Sequence, residues 1–417
     1  MNKNKYYLGI DFGTSGVRGI VINEEKKVIE EIKYSFDTNF NNPQIWQENL
    51  YEILQNISSE IKRNLDKIAI NGTSATVLLC NSLGEPINDA ILYNDNRGIE
   101  VLDEVKKIAP NIPVVLSATS SLTKLIWYTK QSYFSQAKYF LHQADWLSFL
   151  LHKKLGISDY HNVLKLGYDV EKLTYPQELK NLSFFDILPR VYSPGKQVSY
   201  IDKNIANKFK IPPNCIICTG TTDSIAAFIA SGAKLAGEAV TSLGSTLVLK
   251  LLSTKKIDDA SFGIYSHRLG NLWLTGGASN TGGAVLKYFF SDEELINYSN
   301  KINPDQETSY NYYPLLKKGE RFPINDPYLQ PQLEPRPSHK IEFLQGILEA
   351  IAKIETLGYQ KLQELGANPL KQVYSAGGGA KNEKWSIIRQ KYLKVPVTLS
   401  HQIEAAYGSA LLAKNNS

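Results

Sequence analysis

Along the chain, short apolar runs and helix-period stripes are separated by polar, glycine-rich turns. Residues 6–10 read as a buried strand, 19–23 as its returning partner and 28–34 as a third strand. Asn42 and Pro43 open a helix that puts Trp46, Leu50, Ile53, Leu54, Ile57, Ile61 and Leu65 on one face. Strands at 68–71 and 77–80 follow, then a turn at 82–86 and an apolar stretch at 90–93. The pattern from 117 to 155 is helical, and its first helix carries Lys124 and Trp127 on opposite sides, which predicts a surface lysine and a core tryptophan. Residues 156–169 read as a polar loop in which His161 serves as a hydrogen-bonding residue. A core strand at 215–218 leads to an apolar helix at 225–229, and 241–249 repeats strand, turn, strand. Residues 303–339 are proline-rich and predict an irregular excursion. Helices at 341–365, 385–394 and 404–414 enclose short strands at 373–375 and 397–399. Strands mixed with helices in this order predict an α/β protein.

A chain of 417 residues is too long for one core and predicts two domains. With 43% hydrophobic and 21% charged residues it falls in the range of globular enzymes. The excess of Lys plus Arg over Asp plus Glu, 46 − 41 = 5, is scattered, so nucleic acid is not an expected partner. No apolar run approaches the roughly 20 residues that span a bilayer, and no leader pattern precedes the first strand. Three cysteines are too few for a disulfide framework, which points to a reducing cytoplasm. Cys215 and Cys218 flank Ile216 and Ile217 in a strand, so they face opposite sides and read as core residues rather than a metal or redox pair.

The candidate chemistry lies where strands stop. The first strand ends on Asp11, followed by Gly13, Thr14, Ser15 and Gly16, with Arg18 just beyond. A carboxylate beside free backbone N–H groups, hydroxyls and a guanidinium suits a divalent cation with phosphate next to it. These residues also fit an ordinary hairpin turn. The pattern recurs at Gly244, Ser245 and Thr246, however, and two such loops predict two lobes presenting phosphate-binding turns to one cleft. Asp223 again stands at a strand end beside Gly220, Thr221 and Thr222; as an isolated residue it reads as a helix cap. Residues 376–382 place a glycine run between a strand and a helix, a nucleotide-sized notch.

Together these stretches resemble the FGGY family of carbohydrate kinases, within the superfamily of actin, heat-shock chaperones and hexokinase. The resemblance rests on residues 9–18, on Gly220-Thr221-Thr222-Asp223-Ser224, on Gly244-Ser245-Thr246 and on the 376–382 run with Trp385. It extends to Lys124-x-x-Trp127 and to residues 404–410. It implies a two-lobe, ribonuclease-H-like (actin-like ATPase) α/β architecture with a cleft between the lobes. Residues 1–229 with 398–417 would form a sugar-binding lobe, and 230–397 an ATP-binding lobe. By the same resemblance Asp11 would hold Mg²⁺ and touch the sugar, and Thr14 would grip the transferred phosphate. Gly13, Ser15, Arg18, Gly244, Ser245 and Thr246 would serve the phosphates, while Gly377, Gly378 and Asn382 would seat the adenosine. Asp223 would be the base, and Ser74, Asn94 and Asp95 would hold sugar hydroxyls.

The chain's length and the stretches 142–147 and 158–162 are most similar to the cyanobacterial and plastid xylulose-kinase-like subgroup, which resembles D-ribulose kinases. Glycerol kinases carry Arg-Glu, and typical xylulokinases Gln-Met-His, where this chain has Thr73-Ser74. The expected partners are therefore a small sugar, D-ribulose first, and ATP; D-xylulose or another pentulose or pentitol is the alternative. A second, different reading is an actin-like or chaperone-like ATPase with no sugar substrate. A further departure, Gln390-Lys391 in place of the family's Ala-Asp, carries no assigned role at this level.

Overall fold

The computed structural model describes residues 5–36 and 40–415; residues 1–4, the expected lead into the first strand, lie outside the described residues. The chain divides into two compact units, Met1–Ala230 with Glu404–Ser417, and Ser231–Ile403.

The first unit is built on a seven-stranded mixed sheet. Its first strands are β1 (Tyr6–Phe12), β2 (Gly16–Ile22), β3 (Val28–Ser35) and β4 (Leu65–Gly72). Beside it run β5 (Val77–Cys80) with β6 (Tyr139–His142), and β7 (Ile157–Asp159) with β8 (Arg190–Tyr192). β9 (Gln197–Tyr200), β10 (Ile216–Cys218) and β11 (Thr221–Thr222) complete the main sheet, ordered β3-β2-β1-β4-β10-β9 with β11 also on β4. β1 pairs antiparallel with β2 and parallel with β4, and its apolar residues are buried on both faces, as a central strand requires. The C-terminal helix Ala405–Asn415 lies directly on β1. It comes so close that a Cβ at Gly9 would stand 1.9 Å from the Ala406 carbonyl oxygen, so glycine is required there. Beneath the other face, Trp46 and Trp146 meet edge to face at 6.2 Å, among Leu8, Ile10, Ile68 and Ile70.

The second unit repeats the plan with β12 (Glu238–Leu243), β13 (Leu247–Ser253), β14 (His267–Leu269), β15 (Leu272–Ser279), β16 (Gln372–Ala376) and β17 (Val397–Leu399). They form one sheet ordered β14-β15-β13-β12-β16-β17. The long helix Lys340–Glu364 buries Leu344, Ile347, Leu348 and Ile351 against it. The proline-rich excursion is irregular but anchored. Buried Glu320 accepts from Ser279 Oγ (2.5 Å), Asn280 N (2.7 Å) and Tyr313 OH (2.9 Å).

Several boundaries differ from the pattern reading. The helix opened by Asn42, whose side chain accepts from Gln44 N, stops at Asn56, and Leu65 begins β4 instead of ending a helical face. The helical stretch 117–155 is two helices, Ser121–Tyr128 and Gln143–His152, separated by β6. An apolar run as short as residues 139–142 does not distinguish strand from helix, and its pairing with β5 decides. The loop 156–169 contains β7. Residues 398–403, expected with the first lobe, fall in the second unit because β17 pairs parallel with β16. Lys124 and Trp127 exchange roles: Lys124 is fully buried and Trp127 keeps a solvent-facing side. Among the described residues no helix is long and apolar enough to cross a membrane, and Cys80, Cys215 and Cys218 are buried free thiols.

Candidate active site

In the first unit, β1, β4 and β11 run parallel and end together. Asp11 lies opposite Asn71, Asn71 opposite Thr221, and Gly72 opposite Thr222. The carboxyl ends of neighbouring parallel strands are where α/β sheets receive ligands. Asp223 follows as the first residue of the helix Asp223–Ala230, and its Oδ1 accepts from Ser224 N at 2.6 Å. Asp11 is pushed up to about 7, first by burial and then by Asp223, while Arg18 pulls it back. Its Oδ1 is sealed from solvent without a hydrogen-bond partner, as are Asn71 Oδ1 and Thr222 Oγ1. Asp11 Oδ1 and Asn71 Oδ1 lie on one face at adjacent strand ends, and this orphaned pair, one of them on a carboxylate, fits a cation better than an empty interior.

Of the side chains expected at phosphate in this unit, Thr14 and Ser15 keep open positions and Arg18 is engaged elsewhere. Thr14 and Ser15 stand exposed at the tip of the β1–β2 hairpin, closed by Gly13 N donating to Gly16 O at 3.0 Å. Arg18 faces Asp11 across the strands, but its guanidinium is held by Glu31 (3.4 Å) and by Glu404 on the C-terminal segment. It is an anchor between elements of this unit.

Ser74 sits half-buried in the 72–76 loop, between Thr73 and Ala75, whose φ of 64° is left-handed. Thr73 is fully occupied: its N–H donates to Gln143 Oε1 (3.0 Å) and its hydroxyl meets Thr76 Oγ1 (2.5 Å) and Gln143 Oε1 (3.2 Å). Asp95 lies in a second loop, whose Asn94 is exposed. Its carboxylate takes Arg97 Nε (2.9 Å) and NH2 (2.7 Å), a forked pair that holds Asp95 below the usual range. Arg97 in turn stacks over Trp127 at 4.7 Å. Asn71, Gln143 and His161 also belong to this region; the last two lie in the 142–147 and 158–162 stretches, and Asn71 carries no motif of its own. His161, buried, meets Thr221 Oγ1 at 2.7 Å. The readable signal was positional, since Asn71 ends β4 as Asp11 nears the end of β1.

In the second unit β12 and β16 run parallel, Thr241 opposite Ser375 and Ser242 opposite Ala376, so their glycine turns emerge on one edge. There a cavity of about 820 Å³ is lined by Gly244, Ser245, Ile296, Gly378, Asn382 and Trp385, among others. This volume and partly apolar lining suit a nucleotide. Gly377 holds φ 82°, and a Cβ on it would come within 2.8 Å of the Leu243 backbone, whereas nothing stands within 4 Å of a Cβ on Gly378. Thr246 follows Ser245 at the turn. Asn382 spends its side chain on scaffolding, its Oδ1 accepting from Trp385 N (3.0 Å) and its Nδ2 donating to Ser299 Oγ (2.8 Å). Beneath the cavity a solvent-free cluster ties the two strands to the helices behind them. Arg389 donates to Glu355 twice at 2.7 Å and to Ser375 Oγ at 2.6 Å, and Thr241 Oγ1 donates to Glu355 at 2.5 Å.

Residues 6–230 match the N-terminal domain, and residues 239–415 the C-terminal domain, of the FGGY family of carbohydrate kinases. The chain belongs to that family. It is therefore a carbohydrate kinase, with the two-unit α/β fold that the family's solved members share. A xylulose kinase of Staphylococcus xylosus is 23% identical over 98% of this chain and 90% of its own length. A gluconokinase of Bacillus subtilis is 20% identical over 96% and 85%. The crystal structure of a xyloylose kinase from Brucella ovis superposes with a TM-score of 0.85 at 20% identity, covering 99% of this chain and 90% of the other. That of Plasmodium falciparum glycerol kinase with ADP gives 0.83 at 17%, covering 98% and 89%. For this FGGY kinase, the Gln390-Lys391 departure has a local role. Gln390 Oε1 accepts from Val397 N (3.1 Å), and Lys391 Nζ reaches Pro304 O (2.6 Å) and Asp305 (2.8 Å).

Proposed function

We propose that the enzyme phosphorylates D-ribulose with ATP, giving D-ribulose 5-phosphate. The observation that carries the choice is the 72–76 loop. Thr73 is consumed by internal hydrogen bonds, so Ser74 is the short hydroxyl left for substrate where related kinases are expected to carry larger polar groups. D-xylulose is the runner-up, favoured by the xylulose kinases among the relatives.

ATP would sit in the second-unit cavity, its phosphates on the Gly244-Ser245-Thr246 turn and its adenosine along Gly377, Gly378 and Asn382. The 5-hydroxyl oxygen of the sugar attacks the terminal phosphorus, the bond from that phosphorus to the bridging oxygen breaks, and the hydroxyl proton passes to Asp223. Thr14 and Gly13 at the hairpin tip steady the transferred group, and Ser74, Asn94 and Asp95 orient the sugar. Mg²⁺, when bound, neutralises charge developing on the phosphates. Asp11 would hold it, directly or through water. Among the described residues no group of three or more His, Cys, Asp or Glu side chains could enclose a metal, so phosphate oxygens and water would complete its shell. The whole protein works as a two-substrate kinase in a reducing, cytoplasmic setting.

The test is a panel of pentuloses, pentitols, glycerol, gluconate and hexoses with Mg-ATP, read as sugar-dependent ADP release. The highest kcat/KM is expected for D-ribulose. A higher value for D-xylulose or glycerol refutes the substrate assignment, and ADP release indifferent to every sugar refutes the sugar kinase reading.

A further inference from the structure

Lys124 is fully buried in the helix Ser121–Tyr128, yet no carboxylate pairs with it directly among the described contacts. Its Nζ donates to two backbone carbonyls instead, Ala75 O at 2.7 Å and Leu92 O at 2.6 Å. Ala75 is the left-handed residue next to Ser74, and Leu92 O also accepts from Asp95 N at 3.1 Å, closing the turn that carries Asn94 and Asp95. The two loops touch again where Tyr93 N donates to Thr76 Oγ1 at 3.0 Å. One ammonium thus bridges the backbones of both loops assigned to sugar hydroxyls.

We propose that Lys124 is a positioning residue for the sugar, fixing the distance between the Ser74 loop and the Asp95 loop through Ala75 O and Leu92 O. It does not touch substrate. The inference rests on the reading that these loops bind the sugar. An apolar side chain of similar length would fill the space but leave Ala75 O and Leu92 O without this donor, so the ammonium serves the loops rather than the packing. Burial pushes Lys124 down to about 7; Asp95 pulls it up, and Lys165 and Arg97 push it further down. Even the neutral amine keeps donors for both carbonyls, so the bridge survives on either side of that value.

The experiment compares Lys124→Met and Lys124→Gln with Ser74→Ala in the full chain, reading KM for the preferred sugar, KM for ATP and thermal stability. Lys124→Met is expected to raise the sugar KM on the order of 10-fold or more, since loops released from their bridge no longer hold preset positions. The ATP KM should stay within about twofold, because Ala75 and Leu92, the hydrogen-bond partners of Lys124, do not line the nucleotide cavity. Lys124→Gln, with a shorter neutral donor, should fall between Met and wild type. A sugar KM unchanged in both variants, or sugar and ATP KM rising together, overturns the proposal. So does failure of both variants to fold, which would make Lys124 a residue of the core alone. If Ser74→Ala leaves the sugar KM unchanged while the Lys124 variants change it, the loop assignment fails and the bridge stands.

Discussion

Asp11→Asn is expected to make the ligand-free protein more stable while abolishing its activity. In the folded chain Asp11 is pushed from 3.8 up to about 7 by burial and by Asp223, a difference on the order of 4 kcal/mol between its two protonation states. Below pH 4 the carboxyl is protonated in folded and unfolded chains alike, and it subtracts nothing. As pH rises from about 4 to 7 the unfolded chain releases this proton and the folded chain keeps it, so stability falls. Above 7 the deficit is complete. The residue keeps some surface, and water screens part of this cost, so the gain for the Asn variant at pH 8 is expected at about 2–4 kcal/mol. Asp159, also pushed up to about 7 by burial and by Asp145, gives the same pH slope in both proteins and cancels in the difference. The assay is urea unfolding of both proteins between pH 4 and 8.5 without nucleotide or metal. The gap should open with pH and level off above 7. Equal stability at pH 8, or a gap that persists at pH 4, refutes this account of Asp11. The same variant should lose sugar phosphorylation, and magnesium should no longer strengthen its ATP binding.

Other residues separate the roles further. Asp223→Ala should lower kcat by about 10²–10⁴ with ATP binding kept, as loss of a general base requires. A mere helix cap would instead cost about 0.5–2 kcal/mol of stability at normal kcat, so kcat with unfolding on the same samples decides. Gly377→Ala puts a Cβ 2.8 Å from the Leu243 backbone at φ 82° and should weaken ATP binding on the order of 10-fold by calorimetry, whereas Gly378→Ala, with open space around it, should change it by about twofold or less.

The parts of the fold that a linear reading reached were those decided by local chemistry. Gly13 to Gly16 must turn, Asn42 must cap, and 244–246 must join two strands, whatever surrounds them. Breaks imposed by tertiary pairing escaped it. Residues 139–142 are apolar enough for a helix and become β6 only because β5 offers an edge, and 398–399 join the second sheet only because β16 does. The site divides along the same line. Asp11, Asp223 and the glycine turns stand out only as a recurring set, since a carboxylate or glycine at one strand end also reads as a cap or a turn. Asn71 and Gln143 do not, because an amide becomes informative only once its partners are known.

Lys124 shows why the sequence argument inverted one residue while finding its neighbours. Helical periodicity sorts side chains by hydrophobicity, and by that rule a lysine faces water and a tryptophan the core. The rule holds only where the interior offers a charge nothing to bind. Here two loops turn carbonyl oxygens toward the helix, Ala75 O in a buried bond and Leu92 O in a part-buried one. Leaving two carbonyls unmade costs about 1–3 kcal/mol each, comparable with desolvating one ammonium. The lysine therefore goes in. Trp127 is turned outward, its Nε1 donating to Glu100 at 3.0 Å and its ring lying under Arg97, which fixes Asp95. Both ends of the Lys124-x-x-Trp127 pattern thus act on the Asp95 loop, the lysine on its backbone and the tryptophan on the arginine that grips its carboxylate.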